Sequence, residues 1–274
     1  HPVDRRQRQM CIRDRVLGLS DRMVGYTGIS GWKTLDEEMR KGVKELPELS
    51  SKYPSKEVLI GADADFFFAG WNYGMKVGGP VTPETLKPFG IKVYELTESC
   101  THIMKKNKAS IDDMYNDLLN LGKIFKIEDK ANSIVKSYRN ELASLTKDIQ
   151  SKDPLKVFVY DSGEDTPFTA GLYAMPTALI EAAGGKNVMD NFKKSWGTVT
   201  WEEVIDRNPE VIVIVNYGNV TAEQKREFMM TNPAFAEIDA VKNDRFVTLE
   251  YVEATPGPRN IKAVKKLVKS FWKK

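Results

Sequence analysis

A chain of 274 residues, 41% of them hydrophobic and 10% aromatic, can fill the core of one large domain or of two smaller ones. Lys and Arg number 41 against 38 Asp and Glu, a formal net charge of +3, which is too even to make nucleic acid or an anionic membrane the main partner. Two cysteines, Cys11 and Cys100, give no disulfide framework, and no apolar run is long enough for a membrane span or a signal-peptide core.

At the N-terminus, residues 1–15 carry Arg5, Arg6, Arg8, Arg13 and Arg15 without a periodic apolar face, then break abruptly into Val16-Leu17-Gly18-Leu19. We expect this leader to be non-native, because residues 6–15 resemble translated sequencing-adapter sequence; a basic arm for an acidic partner is the other reading. From Val16 onward, strand and helix signals alternate. Short strands are expected over 23–27, 66–69, 91–96, 156–160, 211–215 and 245–249, several of them wholly apolar as parallel strands buried on both faces are. A helix is expected over 82–89, with Thr82 as N-cap and Pro83 at the first helical position, and another over 110–125 after Ser110.

One pattern occurs twice. Residues 53–60 lead through Ala64 and Asp65 into Phe66-Phe67-Phe68-Ala69, and residues 199–205 lead through Asn208-Pro209-Glu210 into Val211-Ile212-Val213-Ile214-Val215. Each copy reads as a short helix feeding a buried strand, which argues for two similar α/β lobes with a ligand cleft between them. Between the copies, Ala131, Ile134, Val135, Tyr138, Leu142, Leu145 and Ile149 recur at threes and fours over 128–150, so one long amphipathic helix is expected, roughly 35 Å at 1.5 Å per residue. It reads equally as a strut joining the lobes and as an ordinary long helix within one domain.

Taken in order, these segments resemble the substrate-binding proteins of ABC importers for iron-siderophore, haem and cobalamin. The resemblance covers nearly everything from Val16 to Phe271. It rests on residues 19–26, on both helix-to-strand copies, and on Leu86-Lys87-Pro88-Phe89-Gly90, Thr166-Pro167-Phe168-Thr169-Ala170-Gly171, Ala182-Ala183-Gly184-Gly185-Lys186-Asn187-Val188 and Thr255-Pro256-Gly257-Pro258-Arg259. It implies two Rossmann-like lobes, 16–127 and 152–274, joined by a single helix at 128–151. The family begins with a strand and helix ahead of Leu19, so the first strand of the N-terminal lobe is expected to be missing. It also implies an extracytoplasmic location, periplasmic or lipid-anchored, and a monomer that delivers its chelate to ABC permease subunits.

Docking in this family uses one acid per lobe facing permease arginines, and the matching positions here are Glu57 and Glu202, with Glu203 competing for the second role. Either acid also suits the first turn of a helix for reasons of dipole alone. The ligand is expected at loops following the strands, which selects Tyr26, Trp71, Tyr73, Phe168, Trp196, Tyr217, Tyr251 and Arg259. Trp201 is expected to pack in the core. Two histidines, His1 and His102, are too few for a bare-metal site, so no protein metal ligands and no cofactor are expected; the bound species would be a chelate carrying its own ligands. Arg259, with Lys76 behind it, is little cation for a triply charged catecholate complex, which leans toward hydroxamate-type or cobalamin-like ligands. An enzyme, a small-molecule hydrolase or a metal-cofactor-handling protein, is the alternative, but no Gly-x-Ser-x-Gly, Walker-type, Gly-x-Gly-x-x-Gly or His-Glu-x-x-His motif supports it.

Overall fold

A computed structural model of the protein describes residues 16–27, 46–51, 53–70, 79–100, 105, 107–149 and 151–272. Two compact units divide it: the first holds the described residues up to Lys105 together with Asn116–Ser133, and the second holds residues 107–115 with everything from Ile134 onward.

In the first unit a 3-10 turn, Ser20–Arg22, precedes β1 (Tyr26–Thr27), which pairs in parallel with β2 (Glu48–Ser50). The strand expected over 23–27 shrinks to its last two residues because the chain is still coiled at its start, where the Met23 amide donates to the Ser20 carbonyl. Helix α1 (Lys56–Gly61) then feeds β3 (Phe66–Ala69), all four residues of which are buried. Helix α2 (Pro83–Leu86) opens on a reciprocal cap, with the Thr82 hydroxyl accepting from the Thr85 amide and Thr85 Oγ1 accepting from the Thr82 amide. The helix expected over 82–89 lasts a single turn. Pro88 has no amide to donate, so the α-helical ladder cannot continue, and Lys87–Phe89 tightens into a 3-10 turn that Gly90 closes at φ 75°. Strand β4 (Lys92–Glu95) follows, parallel to β3.

Helices α3 (Ile111–Phe125) and α4 (Glu128–Thr146) come next. Within the first unit, Asp117 of α3 is fully buried and accepts through Oδ1 from the Tyr94 hydroxyl and from both the amide and hydroxyl of Thr97, which fastens α3 to the end of β4. Helix α4 has 19 residues, about 28 Å at 1.5 Å per residue, and stops short of the expected Gln150. At its end the Thr146 hydroxyl donates back to the Leu142 carbonyl, and the Ile149 amide tightens onto the Thr146 carbonyl, burying Ile149.

The second unit is built on β5 (Leu155–Tyr160), β6 (Phe168–Ala170), α5 (Met175–Ala182), β7 (Gly185–Asn187), β8 (Trp196–Thr198), α6 (Trp201–Arg207), β9 (Val211–Asn216), α7 (Ala222–Thr231), α8 (Asp239–Lys242), β10 (Phe246–Glu250), α9 (Tyr251–Ala254) and α10 (Asn260–Trp272). Four strands form one parallel sheet in the order β10-β9-β5-β7, while β6 and β8 pair antiparallel beside it. Central β9 is buried from Val211 to Val215, each such side chain contributing roughly 1.5–3 kcal/mol, whereas edge strand β10 alternates buried and half-buried residues. Helix α10 turns Ile261, Val264, Leu267, Val268 and Phe271 inward at helical spacing. Its first residue, Asn260, is fully buried, donates to the Glu253 and Thr255 carbonyls and accepts from the Gly257 amide, which fixes the loop carrying Arg259.

The repeated sequence pattern is a repeated structure. Ser55 and Thr200 cap α1 and α6 by accepting from Val58 and Glu203 amides, and each helix ends near a left-handed Asx residue, Asp63 at φ 54° and Asn208 at φ 42°, before its strand begins.

Candidate functional site

In the second unit the chain leaves β5 toward β7 on one side and returns to β9 on the other, so the strand order reverses between β5 and β9. Crevices at the carboxyl ends of such strands are where α/β sheets bind ligands. A cavity of about 120 Å³ lies there, lined by Tyr160, Ser162, Gly163, Glu164, Tyr217, Gly218, Asn219, Val220 and Lys225. Gly163 makes its tight wall possible: at φ +87° a Cβ would run into the Thr166 carbonyl.

Two stacked aromatic pairs stand at this end of the unit. Phe168 and Trp196 face each other across β6 and β8 with centroids 6.0 Å apart and planes 10° from parallel. Tyr217, after β9, stacks on Tyr251, the first residue of α9, at 5.1 Å and 27°. All four are half-buried, leaving ring area for a partner. Phe168 and Trp196 are expected from sequence in loops but lie in strands; a three-residue antiparallel pair embedded in a Pro- and Gly-containing stretch has too few residues to show alternation. Arg259 is buried just ahead of α10. In the first unit Tyr26 opens β1 and packs on Met23 and Leu46, its hydroxyl pKa raised by burial and by Glu48. Trp71, Tyr73, Lys76, His102 and the leader 1–15 lie outside the described residues.

Glu57 and Glu202 occupy the same place in their helices, the second position after the cap, and both are exposed. The Ser55 hydroxyl and the local amides hold the Glu57 carboxyl below its ordinary pKa. Glu203 is engaged with Arg207 one turn on, which also donates to the Val188 carbonyl. Trp201 packs in the core, as its sequence context indicates.

Sequence reasoning passes over the lysine buried beneath the aromatic pairs. Asp161, 6% exposed at the end of β5, accepts from the Ser162 hydroxyl; Lys225, 2% exposed on α7, is its electrostatic partner. A lysine in the polar segment 221–227 reads as a solvated side chain, and the signal against that is its spacing, since Ala222, Lys225 and Met229 form the buried face of α7. Burial raises the Asp161 pKa above its usual 3.8, so the folded protein holds that proton more tightly than the unfolded chain. Stability from this group is therefore complete below 3.8 and is lost as pH rises through the raised value. Asp161→Asn abolishes that slope: relative to wild type its urea midpoint should improve between about pH 4 and pH 7, and equal midpoint differences at both pH values would contradict the burial of an ionising carboxyl here.

Among the described residues no helix is long and apolar enough to cross a membrane. Comparison with known proteins adds the identity of the fold. The chain is similar to the uncharacterized ABC transporter substrate-binding lipoprotein YvrC of Bacillus subtilis, 24% identical over 93% of this chain and 75% of that protein. It is 23% identical to the vitamin B12-binding protein of Vibrio parahaemolyticus, over 93% of this chain and 83% of that one. A crystal structure of a periplasmic binding protein from Veillonella parvula superposes with a TM-score of 0.84 at 28% identity, over 97% of this chain and 90% of the other. The periplasmic binding protein family matches residues 80–253, more than half of the sequence, and the chain belongs to that family of solute-binding transport proteins, not enzymes.

Proposed function

We propose that the protein captures a metal chelate of the iron-siderophore, haem or cobalamin kind outside the cytoplasm and delivers it to the membrane permease of an ABC importer. The observation that carries this reading is the pair of half-buried aromatic stacks, Phe168 with Trp196 and Tyr217 with Tyr251, at the end of the second unit where its parallel strands finish. Such rings offer large, rigid contact area with polar tips, which suits a bulky ligand rich in rings or amides. The vitamin B12-binding name of one relative supports a cobalamin-like member of this class. In this reading the lobes are 16–127 and 152–274, joined by 128–151, with Tyr26, Trp71, Tyr73 and Arg259 also meeting the ligand and Glu57 and Glu202 meeting the permease. The metal arrives already ligated, so the protein itself supplies no ligating side chains.

Tryptophan-fluorescence titration against ferric hydroxamate and catecholate chelates, haem, cobalamin and free ferric, zinc and manganese ions tests the assignment. Saturable quenching by one chelate class is expected, and silence across the panel would refute it. Within the class that binds, Trp196→Ala should weaken affinity about tenfold or more, since a central aromatic anchor is typically worth over 1.4 kcal/mol, measured by competition or calorimetry. Unchanged affinity would remove the β6–β8 stack from the site.

A further inference from the structure

Beneath the Tyr217–Tyr251 stack lies a buried cation with no part in the reading above. Lys225 is 2% exposed, and its Nζ donates at 2.8 Å to the Val215 carbonyl and at 2.8 Å to the Tyr217 carbonyl. Burying an ammonium is costly unless donors find acceptors and an opposite charge stands near. Here the desolvation lowers the lysine pKa, and the attraction of Asp161 offsets this in part. A methionine or leucine would fill the same space without that cost, so packing alone does not account for a lysine at this position.

The two accepting carbonyls explain it. One belongs to Val215, the last residue but one of β9, and the other to Tyr217, just past the strand's end. From there the chain turns through Gly218 at φ 82°, and Asn216 is fastened to the neighbouring strand end by donating to Glu250 Oε2 at 3.0 Å. Lys225 thus grips from below the segment whose ring forms the stack, while Lys225, Tyr217 and Val220 together wall the 120 Å³ cavity. Backbone carbonyls at a strand end would otherwise be free to take water and let the loop rotate.

We propose that Lys225 is a positioning residue for solute binding: by holding the Val215 and Tyr217 carbonyls it fixes the plane in which the Tyr217–Tyr251 pair meets the ligand. This rests on the reading that the pair faces the solute.

The test combines hydrogen exchange with a double-mutant cycle. In Lys225→Met, amides of residues 217–220 should exchange about tenfold faster or more while β5 and β9 keep their protection. Affinity for whichever of cyanocobalamin, haemin and a ferric trihydroxamate the wild type binds should fall about tenfold, and the same change in a Tyr217→Ala background should cost less than about twofold, because the two residues act as a unit. Lys225→Gln, which retains a donor, should show the same pattern at smaller size and serves if the methionine variant does not fold. Unaltered exchange over 217–220 overturns the grip whatever the affinities do. Altered exchange with additive losses of affinity overturns the ligand role and leaves a structural one. A wild type that binds none of the three probes refutes the solute reading and the ligand role with it, a failure distinct from unaltered exchange.

Discussion

Trp201→Ala is expected to lower the folding stability by about 3–5 kcal/mol, the range for emptying a large aromatic site in a core that cannot collapse. The indole stands at the centre of the second unit's aromatic cluster. Its ring lies 4.5 Å from Phe235, 5.3 Å from Tyr160, 5.9 Å from Phe228 and 6.2 Å from Phe158, centroid to centroid. These partners come from β5, from α7 and from the 3-10 turn Pro233–Phe235, so deletion of one ring unsupports three elements together. The indole Nε1 also donates at 2.6 Å to the Glu164 carbonyl, tying the loop after β5 to α6. Trp201→Phe retains most of the packing and loses that hydrogen bond, so a smaller loss of about 1–2 kcal/mol is expected. Urea denaturation followed by circular dichroism measures both. A loss below about 1 kcal/mol for the alanine variant would show that the cluster repacks, and the ordering alanine worse than phenylalanine separates volume from hydrogen bonding. The burial of Tyr160 in this cluster carries its hydroxyl pKa up to about 12.

The parallel strands and the repeated helix-to-strand unit are legible in the sequence because burial on both faces leaves unbroken apolar runs, as in Phe66–Ala69 and from Val211 to Val215. Helix α4 is legible in its period but not in its end. Leu145 and Ile149 both fit the apolar spacing, and the change from α-helical bonding to the three-residue turn that joins the Ile149 amide to the Thr146 carbonyl is not something that spacing encodes. Strands β6 and β8 are invisible for a different reason: three residues each, paired antiparallel beside the main sheet, they depend on a partner distant in sequence. The aromatic site residues could be selected by a rule about strand ends, yet that rule does not say which rings stack on which. Lys225 shows the limit most plainly, since its type argues for solvent while its helical spacing argues for burial, and the spacing prevails because two backbone carbonyls await it.

The matched placement of Glu57 and Glu202 leads to the prediction with the largest effect on transport. In cells that depend on this protein, Glu57→Ala with Glu202→Ala should bring chelate uptake to background while the purified variant binds its ligand with unchanged affinity. Both acids sit at the second helical position after a hydroxyl cap, exposed, and neither is needed to pack a core. The Ser55 hydroxyl keeps Glu57 ionised well below neutral pH, so its charge is constant across physiological conditions. Glu202 has no ion-pair partner among the described residues, whereas its neighbour Glu203 is committed to Arg207. A free, oriented carboxylate is what a guanidinium fork can take without first breaking another pair, and this favours Glu202 over Glu203 for docking. Glu203→Ala should therefore retain uptake. Since exposed charges govern encounter more than they govern folding, the double variant should keep the wild-type unfolding midpoint, and residual uptake in the single variants should fall further as salt is raised. If the double change lowers ligand affinity instead, the two acids belong to the solute site and not to the permease face; if Glu203→Ala alone abolishes uptake, the second contact is one residue further along α6.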